Sequence, residues 1–304
     1  MTPKGGQIMN KAAQYKRWAT GYLMLLPFLL LFTIFIIIPV FYGLFLSFTR
    51  YNIMQPMQWA GLGNYVELFT QDDWFLQALG NTLRFAVIAG PIGFVCSFLF
   101  AWVINQLRFR SAFSLAFYAP SIVSGLAMSV VWLAFFSSDR FGHVNNLLLN
   151  LGIINEPLLF TLNPQLIMPV IIFVSVWMSM GAGFLANLAG LSNLNLDLFE
   201  AAAIDGVQNR FQELFYITLP QLKPQLLFNA IMSTVAALNV HEMAVAIGGQ
   251  PSPGNVALTI VGHMQDYAFV RFELGYASAI ATILFLMNFL LGQLFMRIFR
   301  SDDE

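Results

Sequence analysis

The chain has 304 residues, 58% of them hydrophobic and only 10% charged, with 14 Lys and Arg against 15 Asp and Glu. A soluble domain is about one quarter charged, and apolar runs of about 20 residues recur here, so the composition excludes a soluble globular protein and points to a polytopic helical membrane protein. A single cysteine, Cys96, rules out an internal disulfide and a Cys-based metal site.

Residues 1–21 form a polar tail with Lys4, Lys11, Lys16 and Arg17. The apolar run after it, residues 22–48, is too long for a signal core and lacks a small-residue cleavage site, so it reads as the first span. Pro27 and Pro39 inside it are tolerable where neighbouring groups satisfy the freed carbonyls. Residues 50–78 make a polar, aromatic connection with Trp59, Tyr65, Trp74, Glu67, Asp72 and Asp73, and residues 64–69 suit a short interfacial helix. A second span over 79–105 ends in Arg108 and Arg110, and a third covers 113–136. After a loop with Asp139, Arg140, Asn145 and Asn146 comes a fourth, 166–189. On it Ser175, Ser179, Gly183 and Asn187 recur every four residues as a small, polar stripe. Close helix packing is the first reading of that stripe and a cavity lining the alternative.

Residues 192–220 are a polar island between apolar runs. Helix formers fill 198–204, with Asn195 or Asp197 available as N-cap, and Gly206 suits a left-handed stop. A second short helix is expected from about Val207, with Phe211, Leu214 and Phe215 on one face, ending before Pro220. Such an elbow, with an Ala-rich first arm, fits a plug for a cleft or an amphipathic element lying on lipid headgroups; the residues alone leave both open. A fifth span follows over 224–248. The turn-rich loop 249–255 holds Pro251 and Pro253, and a sixth span covers 274–299.

Six spans put both termini on one side. With the N-terminus inside, ten Lys and Arg (Lys4, Lys11, Lys16, Arg17, Arg108, Arg110, Arg210, Lys223, Arg297, Arg300) lie inside and three (Arg50, Arg140, Arg271) outside. That asymmetry satisfies the positive-inside rule and turns the elbow and both termini to the cytoplasm. Arg84, near the outer end of the second span, reads as an interfacial anchor.

No Gly-rich phosphate loop of the Walker type occurs, so the chain is not expected to hydrolyse ATP. His-Glu-x-x-His, Gly-x-Ser-x-Gly and paired intramembrane carboxylates are also missing. His143, His241 and His263 have no metal-ligand spacing and read as interfacial or packed histidines. His241-Glu242 stands out because it falls inside the fifth span, roughly 25 Å along the helix from Pro224. An ionisable group at membrane depth is usually turned to a partner or an aqueous cavity. Asn239, His241 and Glu242, with Ser179 and Asn187 of the stripe, are therefore the candidate substrate-pathway residues, with an interfacial anchor as the other reading of Glu242.

Several segments carry a family resemblance. Glu200-Ala201-Ala202, Gly206 and Ile217-Thr218-Leu219-Pro220 resemble the EAA loop of permeases from bacterial binding-protein-dependent ABC importers. Leu188-Ala189-Gly190-Leu191, continued by Glu200-Ala201-Ala202-Ala203-Ile204-Asp205-Gly206, is similar to the sugar-type subgroup. Gly61-Leu62-Gly63-Asn64-Tyr65 and Tyr118-Ala119-Pro120-Ser121 with Val131-Trp132 resemble further elements of that subgroup, whereas Val240-His241 departs from the Phe-Asp its pattern implies. The resemblance implies an all-α polytopic fold of about six membrane helices, like type I ABC importer permeases, in the bacterial cytoplasmic (inner) membrane. It implies a transporter subunit and not an enzyme, with no cofactor of its own and no nucleic-acid partner. The implied partners are a second homologous permease, two ATPase subunits that bind ATP and Mg, and an extracytoplasmic solute-binding protein. It makes Glu200, Ala201, Ala202, Asp205, Gly206 and Arg210 the ATPase-coupling residues, and a carbohydrate the cargo, moved by alternating access. The alternatives are a non-sugar solute, such as a glycerol phosphate ester, and an ATP-independent secondary transporter, for which internal repeats and buried acids are expected.

Overall fold

Apolar segments in a bilayer must satisfy their backbone polar groups internally, and the chain is helical almost throughout. The computed structural model describes residues 11–299; Lys4, Arg300 and tail residues 301–304 lie outside the described residues. The only strands there are a two-residue antiparallel pair, β1 (Thr49–Arg50) and β2 (Gln58–Trp59).

Four helical stretches are long and apolar enough to cross a membrane: Thr20–Leu46, Asp73–Asn105, Pro164–Ser192 and Leu274–Ile298. Two bent pairs bring the number to six if each pair is one span. The first stretch comprises α1 (Lys11–Phe32), a π-turn (Thr33–Ile37) and α2 (Ile38–Leu46). After the short α3 (Gly63–Thr70) comes α4 (Asp73–Asn105). It begins six residues before the expected 79, because Asp72 caps it by accepting the Phe75 N–H at 2.8 Å. Its 33 residues span roughly 50 Å, well beyond the ~30 Å hydrocarbon core. The N-terminal turns of α4 therefore join α3 in a layer outside the spans.

The stretch expected as the third span is two helices, α5 (Arg110–Ile122) and α6 (Gly125–Phe135), which meet at 103° and are separated by extended backbone at Val123 and Ser124. Past α7 (His143–Asn150), the fourth is α8 (Pro164–Met178) and α9 (Ala182–Ser192). The elbow contains α10 (Leu196–Ile204), α11 (Arg210–Glu213), a π-turn (Leu214–Thr218) and α12 (Leu219–Gln221). The fifth span is α13 (Lys223–Leu238) and α14 (Glu242–Gly248), which meet at 47°. A short α15 (Ile260–Gln265) and the last span, α16 (Leu274–Ile298), complete the chain.

Three buried clusters hold these elements. One packs α4, α8 and α14 around Phe85, Ile171, Val174 and Ile247. A second joins α4, α9 and the start of α13 to the elbow through Phe98, Phe184, Leu214 and Leu222. The third ties α3 and the start of α4 to α15 and α16 through Leu68, Phe75, Ile260 and Ile280. Burial of such side chains is worth about 1.5–3 kcal/mol each against water, but in lipid the gain comes from packing, which favours small residues at contacts. Gly183 shows this: a Cβ there would collide with the Asn229 side chain on α13.

The outer layer is sewn together by polar groups. Asn64 donates to the carbonyls of Ser47 and Thr49, both at 2.9 Å, and Tyr65 donates to Ser47 Oγ at 2.7 Å. Asp72 Oδ2 accepts from His263 Nε2 at 2.8 Å and from the Tyr276 hydroxyl at 2.9 Å, all three side chains being buried. His263 is therefore a packed, hydrogen-bonded histidine.

Candidate functional site

Two features stand apart from the packing. One is a cavity of about 460 Å³ where α4, α6, α8, α9, α13, α14 and α15 meet. Its wall breaks at Asn239. The Asn239 side chain donates to the Val235 carbonyl at 2.7 Å, the same oxygen that accepts the Asn239 N–H at 3.1 Å. Back-bonding of this kind competes with the helical ladder, and His241 leaves helical geometry with φ −149°. The chain restarts at Glu242, in the first turn of α14, where the helix dipole favours a carboxylate.

The break gathers polar side chains on the cavity. Ser179, Asn239, His241 and Glu242 all line it, joined by Asn229, Ser233 and Gln265. Glu242 is exposed there and lies against Gly125 at the start of α6, where a Cβ would sit 3.5 Å from its carboxylate. The buried Nδ1 of His241 has no hydrogen-bond partner among the described residues. Asn187 does not join the group: it is fully buried, and both its amide atoms lack a partner among the described residues. The stripe on the fourth span thus serves both of its readings. Ser175, Ser179 and Gly183 reach the cavity, whereas Asn187 is packed.

Asn229 and Ser233 went unmarked in the sequence reading although they lie four apart on α13. Asn229 bonds Ser97 on α4 at 2.8 Å and so also serves packing. Gln265 is distant in sequence and carries no local signal. Arg84 is exposed on α4 and is not among the cavity residues.

The second feature is the elbow. Asn195 caps α10, accepting the Asp197 N–H at 3.0 Å. At the other end Asp205 closes the helix, Gly206 has φ +99°, and Val207 N–H reaches the Ala202 carbonyl at 2.9 Å. This is the helix stop read from the sequence. The second arm differs from the expected one. It starts at Arg210, because Asn209 accepts the Gln212 N–H at 2.8 Å and Gln212 reaches back to the Gln208 N–H at 2.9 Å, a reciprocal cap. It also does not end before Pro220: the π-turn carries the helix into α12, where Pro220 sits in the first turn and needs no N–H partner.

No residue of α10 is buried, and Ile204 is 88% exposed. Glu200, Ala201, Asp205 and Gly206 are exposed and Ala202 half-buried. Arg210 pairs with Glu213 at 3.0 Å within the second arm. The first arm therefore projects from the body with its apolar and small residues uncovered, while the second is anchored through buried Leu214 and Ile217.

The chain matches a family model, the inner membrane component of binding-protein-dependent transport systems, over residues 89–301. It is 33% identical over 307 residues to the probable ABC transporter permease protein YesP of Bacillus subtilis, covering 100% of this chain and 97% of that one. It is also 33% identical to the lactose transport system permease protein LacF of Rhizobium radiobacter, covering 88% and 89%. Among solved structures, a bacterial ABC transporter involved in the import of the acidic polysaccharide alginate superposes with a TM-score of 0.80 at 26% identity, over 96% of this chain and 98% of that one. A bacterial alginate ABC transporter in complex with an alginate pentasaccharide-bound periplasmic protein also matches, with a TM-score of 0.80 at 26% identity over 95% of this chain and 98% of that one. The chain belongs to the inner membrane permeases of binding-protein-dependent ABC importers, within their carbohydrate-uptake group, as a multi-pass subunit that is not itself an enzyme.

Proposed function

We propose that the chain forms, with a second homologous permease, the pathway for a carbohydrate delivered by an extracytoplasmic binding protein. An ATPase dimer docked on the elbow, binding ATP and Mg, supplies the work, and both termini face the cytoplasm. The observation that carries the cargo assignment is the cavity at the break between α13 and α14. Its hydroxyl and amide groups, Ser179, Ser233, Asn239 and Gln265, surround one carboxylate, Glu242. Side chains of this kind exchange hydrogen bonds with a polyol, donating from hydroxyl and amide N–H groups and accepting at carbonyl and carboxylate oxygens. Among the described lining residues there is no Lys or Arg. A phosphate ester would meet the Glu242 charge with no Lys or Arg among those residues to offset it, which favours a neutral sugar over a glycerol phosphate ester.

Alternating access follows from the two features together. Closure of the ATPases moves the projecting α10, and the anchored second arm passes that motion through Leu214 and Leu222 to α4, α9 and α13, which wall the cavity. The test is purification of the tagged chain in mild detergent, followed by ATP-driven uptake of neutral and anionic oligosaccharides by the assembled complex in liposomes. A second permease and an ATPase in the eluate, with uptake of neutral sugar, support the reading. A chain that purifies alone and transports without ATP overturns it, and uptake of anionic solutes alone overturns the cargo assignment.

A further inference from the structure

A groove of about 600 Å³ lies on the elbow side of the molecule, away from the cavity described above. Its walls are apolar: Val95 and Leu99 of α4, Phe215 of the π-turn, Leu219 of α12 and Phe299 after α16. Among the described lining residues Lys223 carries the only charge, and Arg297 immediately precedes the lining residue Ile298 on α16. Val95, Leu99 and Phe215 are 47%, 42% and 63% exposed, so the groove is open along its length. The π-turn makes one wall, and wide turns of this kind are frequent at functional sites.

In a bilayer an apolar groove between spans does not fill with water. Lysine there extends its ammonium towards the interface while its methylenes follow the apolar wall. We propose that this groove is a binding site for an anionic phospholipid of the inner leaflet, with acyl chains along α4 and the end of α16 and the headgroup phosphate on Lys223. The side of the membrane rests on the orientation given under the proposed function; the binding itself does not. Charge complementarity selects the lipid. Every phospholipid brings a phosphate, but only one with net negative charge keeps a net attraction to a single cation, a preference of about fivefold for one basic residue near an anionic surface. A lipid held there bridges the second arm of the elbow to α4 and the end of α16, so it would stiffen the path from α10 to the spans.

The test uses the assembled permease complex in nanodiscs of equal phosphatidylglycerol and phosphatidylcholine, released into mild detergent, with retained lipid counted by native mass spectrometry. Phosphatidylglycerol is expected to exceed phosphatidylcholine about fivefold. Lys223→Gln should equalise the two lipids, Lys223→Arg should keep the preference, and Val95→Trp, which fills the groove from an exposed position, should lower both. Equal retention by the wild-type complex, a preference unchanged by Lys223→Gln, or total retention undiminished by Val95→Trp overturns the site. A photo-crosslinking residue in place of Leu99 identifies the occupant directly. A lipid adduct supports the proposal. A cross-link to residues 1–10 of this chain, or to the second permease, overturns it. Because none of these readouts needs transport, a failed importer assignment and a failed lipid site give different results.

Discussion

Glu242 faces the cavity because the helix breaks just before it, and the break comes from Asn239 bonding back to Val235. The sequence marks Glu242 as an ionisable residue at membrane depth but not the break, since neither Gly nor Pro interrupts 225–247. A carboxylate on a cavity wall acts through charge-assisted hydrogen bonds, worth about 1.5–3 kcal/mol. Glu242→Gln keeps the shape and loses the charge. It is expected to lower kcat/KM for ATP-driven uptake about tenfold, or about 1.4 kcal/mol, with assembly unchanged. Identical uptake kinetics would return Glu242 to the role of an interfacial anchor. Asp72 works outside the spans. Burial pushes its carboxyl up, but hydrogen bonds from the Phe75 N–H, His263 and Tyr276 outweigh that and hold it below the usual carboxylate range. A depressed folded value means the stabilisation is present above the ordinary value of about 3.9 and is lost as pH falls through the lower folded one. Amide protection over 260–276, taken relative to the intrinsic exchange rate at each pH, should therefore stay flat from neutral pH to about 4 and fall only below it. Asp72→Asn sets an amide against two donors and is expected to cost about 2–4 kcal/mol at pH 7, read as a lower unfolding midpoint. An unchanged midpoint would mean that the outer layer is held by its apolar cluster alone.

At the scale of elements, the elbow shows how far local sequence reaches. The cap at Asn195, the stop at Gly206 and the exposed Ala-rich arm were legible because caps and left-handed stops depend on a few adjacent residues. The second arm starts a few residues later than expected because Asn209 accepts from the Gln212 N–H while Gln212 accepts from the Gln208 N–H, a pattern hidden among other polar residues. The passage through Pro220 was missed because a π-turn can feed a proline into a new first turn. The breaks in the third, fourth and fifth spans share one cause of invisibility: hydropathy measures composition and does not register a side chain that captures a carbonyl, as Ser179 does with Val176 at 2.7 Å. Gly206 makes the sharpest element-scale prediction. No atom lies within 4 Å of where its Cβ would be, so a substitution there is penalised only through φ +99°. A left-handed conformation costs an ordinary residue roughly 1–2 kcal/mol, with β-branched residues worse and Asn better. Gly206→Val is expected to reduce ATPase co-purification several-fold, or to leave ATP hydrolysis running without uptake, while Gly206→Asn retains both. Normal ATP-driven uptake by the Val variant would remove Gly206 from the coupling role.

The whole molecule was legible at the level of class, because composition fixes a polytopic membrane protein and long apolar runs fix its long helices. The cavity was not. Its lining comes from seven helices spread between residues 85 and 265, and only tertiary packing brings Phe85, Gly125 and Gln265 to one wall. The first span is a separate matter. Every residue from 20 to 42 is exposed, and none of the most apolar part of Thr20–Leu46 is buried in the chain, whereas 39% of the most apolar part of α4 is. A helix that is apolar all round is normally buried or bathed in lipid, and its two possible surroundings predict different behaviour. If a second permease covers it, its side chains carry packing information; if lipid alone does, only its hydrophobicity matters. Exchange of residues 22–36 for a Leu/Ala span of the same length separates these cases and leaves the contact of α2 with α16 in place. The exchanged chain should insert, since about 20 apolar residues suffice to span, and its unfolding midpoint should stay near that of the wild type because all three clusters lie elsewhere. Recovery of the second permease in the same pull-down should fall several-fold. Undiminished recovery would assign the first span to lipid and move the subunit contact to the face of the molecule where the cavity opens.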